Sequence, residues 1–188
     1  GLTVSPLKFG GTVLGGTADD PTSFRLLDGF VDAGFTTIDT ADMYSKWAAG
    51  HIGGESESII GRWTGQRKNR DKVVIASKVG LEMGPGKKGL SKSYILQAVE
   101  DSLRRLQTDY IDLYQSHTDD AGTPFEETLG TYAELMKQGK VRVIGASNYK
   151  ADRLAAALAV SKQMLLPSYA SLQPHSYLST RVTSETHL

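Results

Sequence analysis

The sequence predicts an α/β protein of parallel strands, with about six of the eight βα units of a (β/α)8 TIM barrel, forming one partial domain over residues 1–188. Three observations carry this. Short runs rich in Val, Ile, Tyr and Phe alternate with longer segments of helical periodicity, β then α five times and then a sixth strand; such alternation calls for parallel strands joined by right-handed crossovers. The first strand ends near Leu14 and the sixth near Gln173, so the units average about 32 residues, and eight of them would need roughly 255, the size of a complete barrel. Reactive side chains also recur at the C-terminal ends of the strands, where a barrel collects its chemistry. An open doubly wound sheet of five or six strands is the alternative. Length alone favours the open sheet; the strand-end residues favour the barrel.

The strands are read at 7–15 (LKFGGTVLG), 35–40 (FTTIDT), 72–78 (KVVIASK), 109–117 (DYIDLYQSH), 140–147 (KVRVIGAS) and 169–173 (YASLQ), each bounded by Gly, Asp, Ser or Pro. Phe24, Leu27, Phe30 and Val31 share one face of the first helix, which Asp19-Asp20-Pro21 opens and Gly34 closes. Trp63 lies on the helix before the third strand and reads as packing. Ile95, Val99, Leu103 and Leu106 follow a start at Ser91. Thr128, Tyr132, Leu135 and Met136 precede a stop at Gly139, and residues 154–160 form an Ala-rich helix interior. No internal repeat or low-complexity linker divides the chain.

Composition excludes several classes. Lys+Arg and Asp+Glu balance at 21 each, which removes the electrostatic signature of a nucleic-acid binder or of a surface held to anionic lipid. With no Cys there is no disulfide framework, thiol nucleophile or thiolate metal site, and a reducing, cytoplasmic setting is expected. No apolar run approaches the roughly 18 residues of a membrane span, and GLTVSPLKFG has no signal-peptide pattern. Without an initiator Met, the start is read as processed, cloned or incompletely recorded.

The strand ends present Asp39, Lys78, His117, Ser147-Asn148 and Gln173, and Tyr44 lies five residues past Asp39 in the following loop. A buried strand ending in Lys needs a partner for its ammonium, and Asp39 on the neighbouring strand is the natural one. The combination reads as a tuned phenol: the ammonium is expected to lower the Tyr44 pKa, Asp39 to orient Lys78, and His117 to donate a hydrogen bond to a carbonyl oxygen. Asp119 and Asp120 beside His117 read as turn residues before Pro124, and with no HExxH pattern no metal is expected. GPGKKGLSK lacks the GK[ST] ending of a phosphate loop, IGASNY lacks the last Gly of a nucleophile elbow, and no GxGxxG follows the first strand. Trp47, beside Tyr44 in sequence, is read as lining a substrate pocket.

Together TIDTADMY, GGESESIIGRW, VVIASKVG, DYIDLYQSH and GKVRVIGASNY resemble the aldo-keto reductases, in order and register from about Gly1 to Gln173, and the loop SKWAAGHIGGESE is similar to their bacterial-type branch. The resemblance implies the eight-stranded barrel and reversible reduction of aldehydes or ketones to alcohols with NADPH, NADH being possible. It places the catalytic tetrad on Asp39, Tyr44, Lys78 and His117, with Tyr44 as the acid. It places the nicotinamide carboxamide on Ser147, Asn148 and Gln173, and Gly11 and Thr12 beside the nicotinamide ribose, with Asp39 also at the cofactor. The implied partner is a small carbonyl substrate; oligomeric state is not indicated. Departures are the missing β-hairpin before GLTVSPL, the missing seventh and eighth units where the family grips the cofactor's phosphates, and an aperiodic tail, HSYLSTRVTSETHL. The expectation is therefore a fragment or incomplete record of a parent of roughly 300 or more residues. A polypeptide of these residues alone, with two open strand edges, is expected to bind NADPH weakly. The alternatives are a non-catalytic or regulatory binding protein on the same fold, an inactive fragment, and a metal-dependent barrel hydrolase.

Overall fold

Strands and helices alternate as the periodicity predicts. A computed structural model describes residues 2–174, so the aperiodic tail falls outside the described residues. The order is β1 (Lys8–Gly10), α1 (Asp20–Asp32), β2 (Thr37–Asp39), α2 (Glu55–Arg67), β3 (Val74–Val79), α3 (Lys92–Leu106), β4 (Ile111–Ser116), α4 (Phe125–Lys137), β5 (Val141–Ser147), α5 (Ala151–Met164) and β6 (Leu172–Gln173). Every strand pairs in parallel with its successor, giving one sheet in the order β1-β2-β3-β4-β5-β6.

That order decides between the two architectures. A doubly wound sheet reverses its strand order at a switch point; this one never does. Gln173 Nε2 on β6 also lies 3.4 Å from Asp39 Oδ2 on β2. In a flat sheet four strand spacings would separate those strands by about 19 Å, so the sheet curls. Among the described residues six parallel strands and five helices thus make a curled half-barrel, consistent with part of a (β/α)8 barrel.

The register sorts the side chains. Gly10, Asp39 and Ala76 are partners across β1–β3, Lys78 pairs with Gln115 and Gln115 with Gly145, and Ser147 pairs with Gln173. Period-two alternation puts all of these on the concave face. The intervening residues Ile38, Ile75, Val79, Tyr114 and Ile144 face outward and pack with Leu27, Ile59, Trp63, Val99 and Leu135 of the helices in one core. Burying those apolar groups drives the fold.

The helix signals act as read. Asp19 accepts the Thr22 N–H and Ser91 the Tyr94 N–H, while Gly34 and Gly139 take φ of 88° and 75° just past α1 and α4. The first strand is a correction. Pairing stops at Gly10, and Gly11–Val13 form a 3-10 turn that carries Leu14 into the core. The apolar run there records burial of a turn. Likewise GGESE is not all loop, since α2 begins at Glu55.

Candidate active site

Lys78 ends the inner row of β3 and is 1% exposed. Its ammonium makes three hydrogen bonds: 2.7 Å to Asp39 Oδ2, 2.9 Å to the Thr40 carbonyl and 2.9 Å to the Tyr44 hydroxyl. That fills all three of its donors. The Asp39 pairing expected of a buried lysine is therefore present, with both groups out of solvent. Burial pulls the Lys78 pKa down, and Asp39 opposes this.

The loop after β2 brings Tyr44 back over this pair. Its hydroxyl accepts from Lys78 and sits 3.3 Å from Asp39 Oδ2, to which it donates. The expected lowering of the phenol pKa is overturned. Burial first, then the Asp39 carboxylate, push Tyr44 above its ordinary value, because the Lys78 charge is already balanced by Asp39. The phenol is a fully loaded acid at neutral pH.

His117 follows β4, and its ring stands edge-on to Tyr44 with centroids 6.0 Å apart. Burial and the Lys78 charge bring its pKa down to about 4, so the imidazole is neutral. Its Nδ1 is buried without a partner. The Asn148 amide donates to its carbonyl at 3.0 Å.

At the far edge, Ser147 Oγ donates to the Gln173 carbonyl at 2.9 Å, and Asn148 Nδ2 lies 3.2 Å from Ser147 Oγ. Asn148 holds a left-handed φ of 55°. Gln115 joins the two halves. It is fully buried between Lys78 and Gly145 on the inner face, and its Nε2 donates to Gln173 Oε1 at 3.2 Å. The sequence reading missed Gln115; the available signal was its place on β4 two residues before His117, which continues the inner-facing alternation. The structure thus gathers Asp39, Tyr44, Lys78, His117, Ser147, Asn148 and Gln173 along one rim. Asp39 Oδ1, Gln115 Oε1 and His117 Nδ1 are buried there without hydrogen-bond partners. Two free acceptor oxygens and an imidazole nitrogen at this rim suit a carboxamide, whose amide N–H groups need acceptors.

Gly11 lies against this rim. A Cβ there would come within 2.7 Å of the Asp39 carbonyl and 2.9 Å of Ser56 Oγ, so the first loop approaches only because residue 11 has no side chain. Thr12 is exposed. Trp47 is 61% exposed and lies across Gly16, where an added methyl would overlap its ring. Trp63 is buried, donating its Nε1–H to Asp28 at 2.8 Å.

A second buried group escaped the sequence reading. Asp42, 1% exposed, has both carboxylate oxygens unpartnered. Burial and the nearby Glu57 push its pKa up to about 8. Glu57 itself is satisfied by Arg105 at 2.6 Å and by the Ser77 hydroxyl. Asp120 works as the turn residue expected, accepting from the Leu90 and Gly122 N–H groups and the Thr123 hydroxyl, and Asp119 pairs with Arg153 at 2.6 Å. Among the described residues no group of three or more His, Cys, Asp or Glu is placed to hold a metal ion, and no helix is long and apolar enough to cross a membrane.

Residues 6–186 match the model of the aldo/keto reductase family. The chain is 40% identical over 154 residues to aldo-keto reductase YhdN of Bacillus subtilis, covering 81% of this chain and 44% of that protein. It is 35% identical over 190 residues to norsolorinic acid reductase of Aspergillus flavus (93% and 47%). It is 36% identical over 170 residues to an aryl-alcohol dehydrogenase [NADP(+)] of Phanerodontia chrysosporium (79% and 42%). The chain spans about half the length of the curated relatives it matches.

Proposed function

The chain belongs to the aldo/keto reductase family, and from that premise we propose that its rim is the proton-donating site of an NADP(H)-dependent reductase of aldehydes and ketones. The observation that carries the reading is the buried Asp39–Lys78–Tyr44 chain, with bonds of 2.7 and 2.9 Å. Relatives named as a reductase and as an NADP(+) dehydrogenase support the reaction class and the cofactor.

Each residue has a role set by its surroundings. Tyr44 is protonated at neutral pH, as any phenol is, and burial and Asp39 hold its proton more tightly still. The Lys78 ammonium, bonded to the phenol oxygen, stabilises the phenolate left when that proton moves to a substrate oxygen. Asp39 keeps Lys78 charged and aimed. Neutral His117 orients the carbonyl through a ring N–H. Ser147, Asn148 and Gln173 would hold the nicotinamide carboxamide, and Gly11 and Thr12 would flank its ribose. The hydride would come from the nicotinamide held there. A small carbonyl compound is the substrate class, and Trp47 forms one wall of its pocket.

Tyr44→Phe tests this in the full-length protein. It removes one oxygen from a partly buried ring and leaves one Lys78 donor unpartnered, so the protein should still fold, with a melting temperature only modestly lower. The kcat for a small aldehyde should fall by about 10²–10⁴-fold, the usual loss with a general acid. A kcat within about threefold of the parent would favour a non-catalytic binding protein on this fold.

A further inference from the structure

Ser45 is the one non-glycine residue of the loop after β2 that holds a left-handed backbone, with φ of 71° and no exposure. A side chain is strained there, and such strain persists only where the surroundings over-determine it. A glycine would take this φ without cost. What serine adds is a hydroxyl, which donates to the Leu14 carbonyl in the loop after β1 at 2.6 Å. The Ser45 carbonyl accepts from the Ala48 N–H at 3.0 Å and faces His51 Nδ1 at 3.2 Å.

The neighbours extend the pattern. Lys46 donates to the Glu82 carbonyl in the loop after β3 at 2.6 Å, and Trp47 rests on Gly16. Residues 45–47 therefore fasten the loop after β2 to the loops on both sides. On the other side of Ser45 stands Tyr44, whose phenol lies 2.9 Å from Lys78. The residue between the phenol and its fastenings is the strained one.

We propose that Ser45 is a positioning residue: its left-handed backbone, locked by the hydroxyl bond to Leu14, fixes the Tyr44 phenol against Lys78 and Asp39. This rests on Tyr44 being the acid. Ser45 touches neither substrate nor cofactor; it sets where the proton donor stands. A misplacement of about 1 Å in such a donor can cost on the order of 10²-fold in rate.

The test is a double-mutant cycle in the full-length protein, with kcat and KM for a small aldehyde and melting temperature for each variant. Ser45→Gly relieves the strain and removes the hydroxyl. It should melt at or above the parent temperature, lose at least tenfold in kcat and keep KM within about twofold. Ser45→Ala keeps the strain without the bond, so it should melt lower and lose kcat similarly. In a Tyr44→Phe background Ser45→Gly should change kcat no further, because a residue acting only through Tyr44 has nothing left to position. Ser45→Gly with parental kcat, or with the same fold loss in both backgrounds, overturns the proposal while leaving Tyr44 as the acid. Loss of kcat only in variants that melt lower also overturns it, showing a merely structural role. Parental kcat in Tyr44→Phe itself brings down the acid assignment and this inference together.

Discussion

The two faces of the sheet are buried to the same degree and built for opposite ends. Ile38, Ile75, Tyr114 and Ile144 on the outer face are 0–1% exposed; Lys78, Gln115, Ser147 and Asp39 on the inner face are 0–4% exposed. The outer residues meet side chains of the helices. The inner residues meet one another through a chain of hydrogen bonds from Asp39 to Gln173 and leave Asp39 Oδ1, Gln115 Oε1 and His117 Nδ1 without partners. Each buried unsatisfied group costs about 1–3 kcal/mol. The outer face therefore stabilises the fold, and the inner face holds polar atoms still open to a hydrogen-bond partner.

The largest effect should come from breaking the inner face at its charge. Lys78→Met leaves the Asp39 carboxylate buried and uncompensated, which costs about 3–5 kcal/mol, and it strips the phenol of its donor. Adding Asp39→Asn to Lys78→Met should recover most of that stability and none of the turnover. Denaturant midpoints of the two variants beside Tyr44→Phe check this; equal midpoints for Lys78→Met and Tyr44→Phe would mean that the ammonium is not held by Asp39. The outer face supplies the contrast, because Ile75→Val should cost only about 0.5–1.5 kcal/mol and leave kcat unchanged.

The same contrast explains what was legible in the sequence. Outer residues announce themselves, since Val, Ile and Tyr in short runs mark strands whatever else surrounds them, and Asp19, Ser91, Gly34 and Gly139 mark helix ends by local chemistry. Lys78 was legible because a lysine closing an apolar strand demands a partner, and Asp39 was the acid on the adjacent strand. Other features were not, Asp42 among them, and three are instructive. The apolar run through Leu14 looked like a continuing strand, but apolar character reports burial, and the chain leaves the sheet after Gly10 in the turn Gly11–Val13. Gln115 carries no charge and sits in a motif whose His117 drew the reading. The sign of the Tyr44 shift depends on three bodies: Lys78 beside a phenol lowers its pKa, but Lys78 already paired with Asp39 in a buried site does not. Pair reasoning along a sequence misses the third partner and the dielectric.

Asp42, near Glu57 and Arg105 of the helices, and His117, beside Lys78 and Tyr44, extend the comparison, and their effects on stability run in opposite directions with pH. Asp42 is raised from 3.8 to about 8. Its contribution is full below pH 3.8 and is lost as pH rises through about 8, because over that window the unfolded chain releases a proton that the folded chain keeps. His117 is lowered from 6.5 to about 4. Its contribution is full above pH 6.5 and is lost as pH falls through about 4, because there the unfolded chain binds a proton that the folded chain refuses. Between pH 4 and 6.5 the two slopes, each at most about 1.4 kcal/mol per pH unit, cancel. Their joint contribution should be nearly flat in that window and should fall only from pH 6.5 to 8. Each single variant unmasks the other group. Asp42→Asn should make stability rise with pH between 4 and 6.5 and remove the fall above it, while His117→Gln should make stability fall steadily from pH 4 to 8. Urea unfolding at half-unit steps of pH reads these slopes directly. Two single variants with the parent's profile would mean that neither group is held in the charge state its surroundings dictate, and that both surroundings are wet rather than dry.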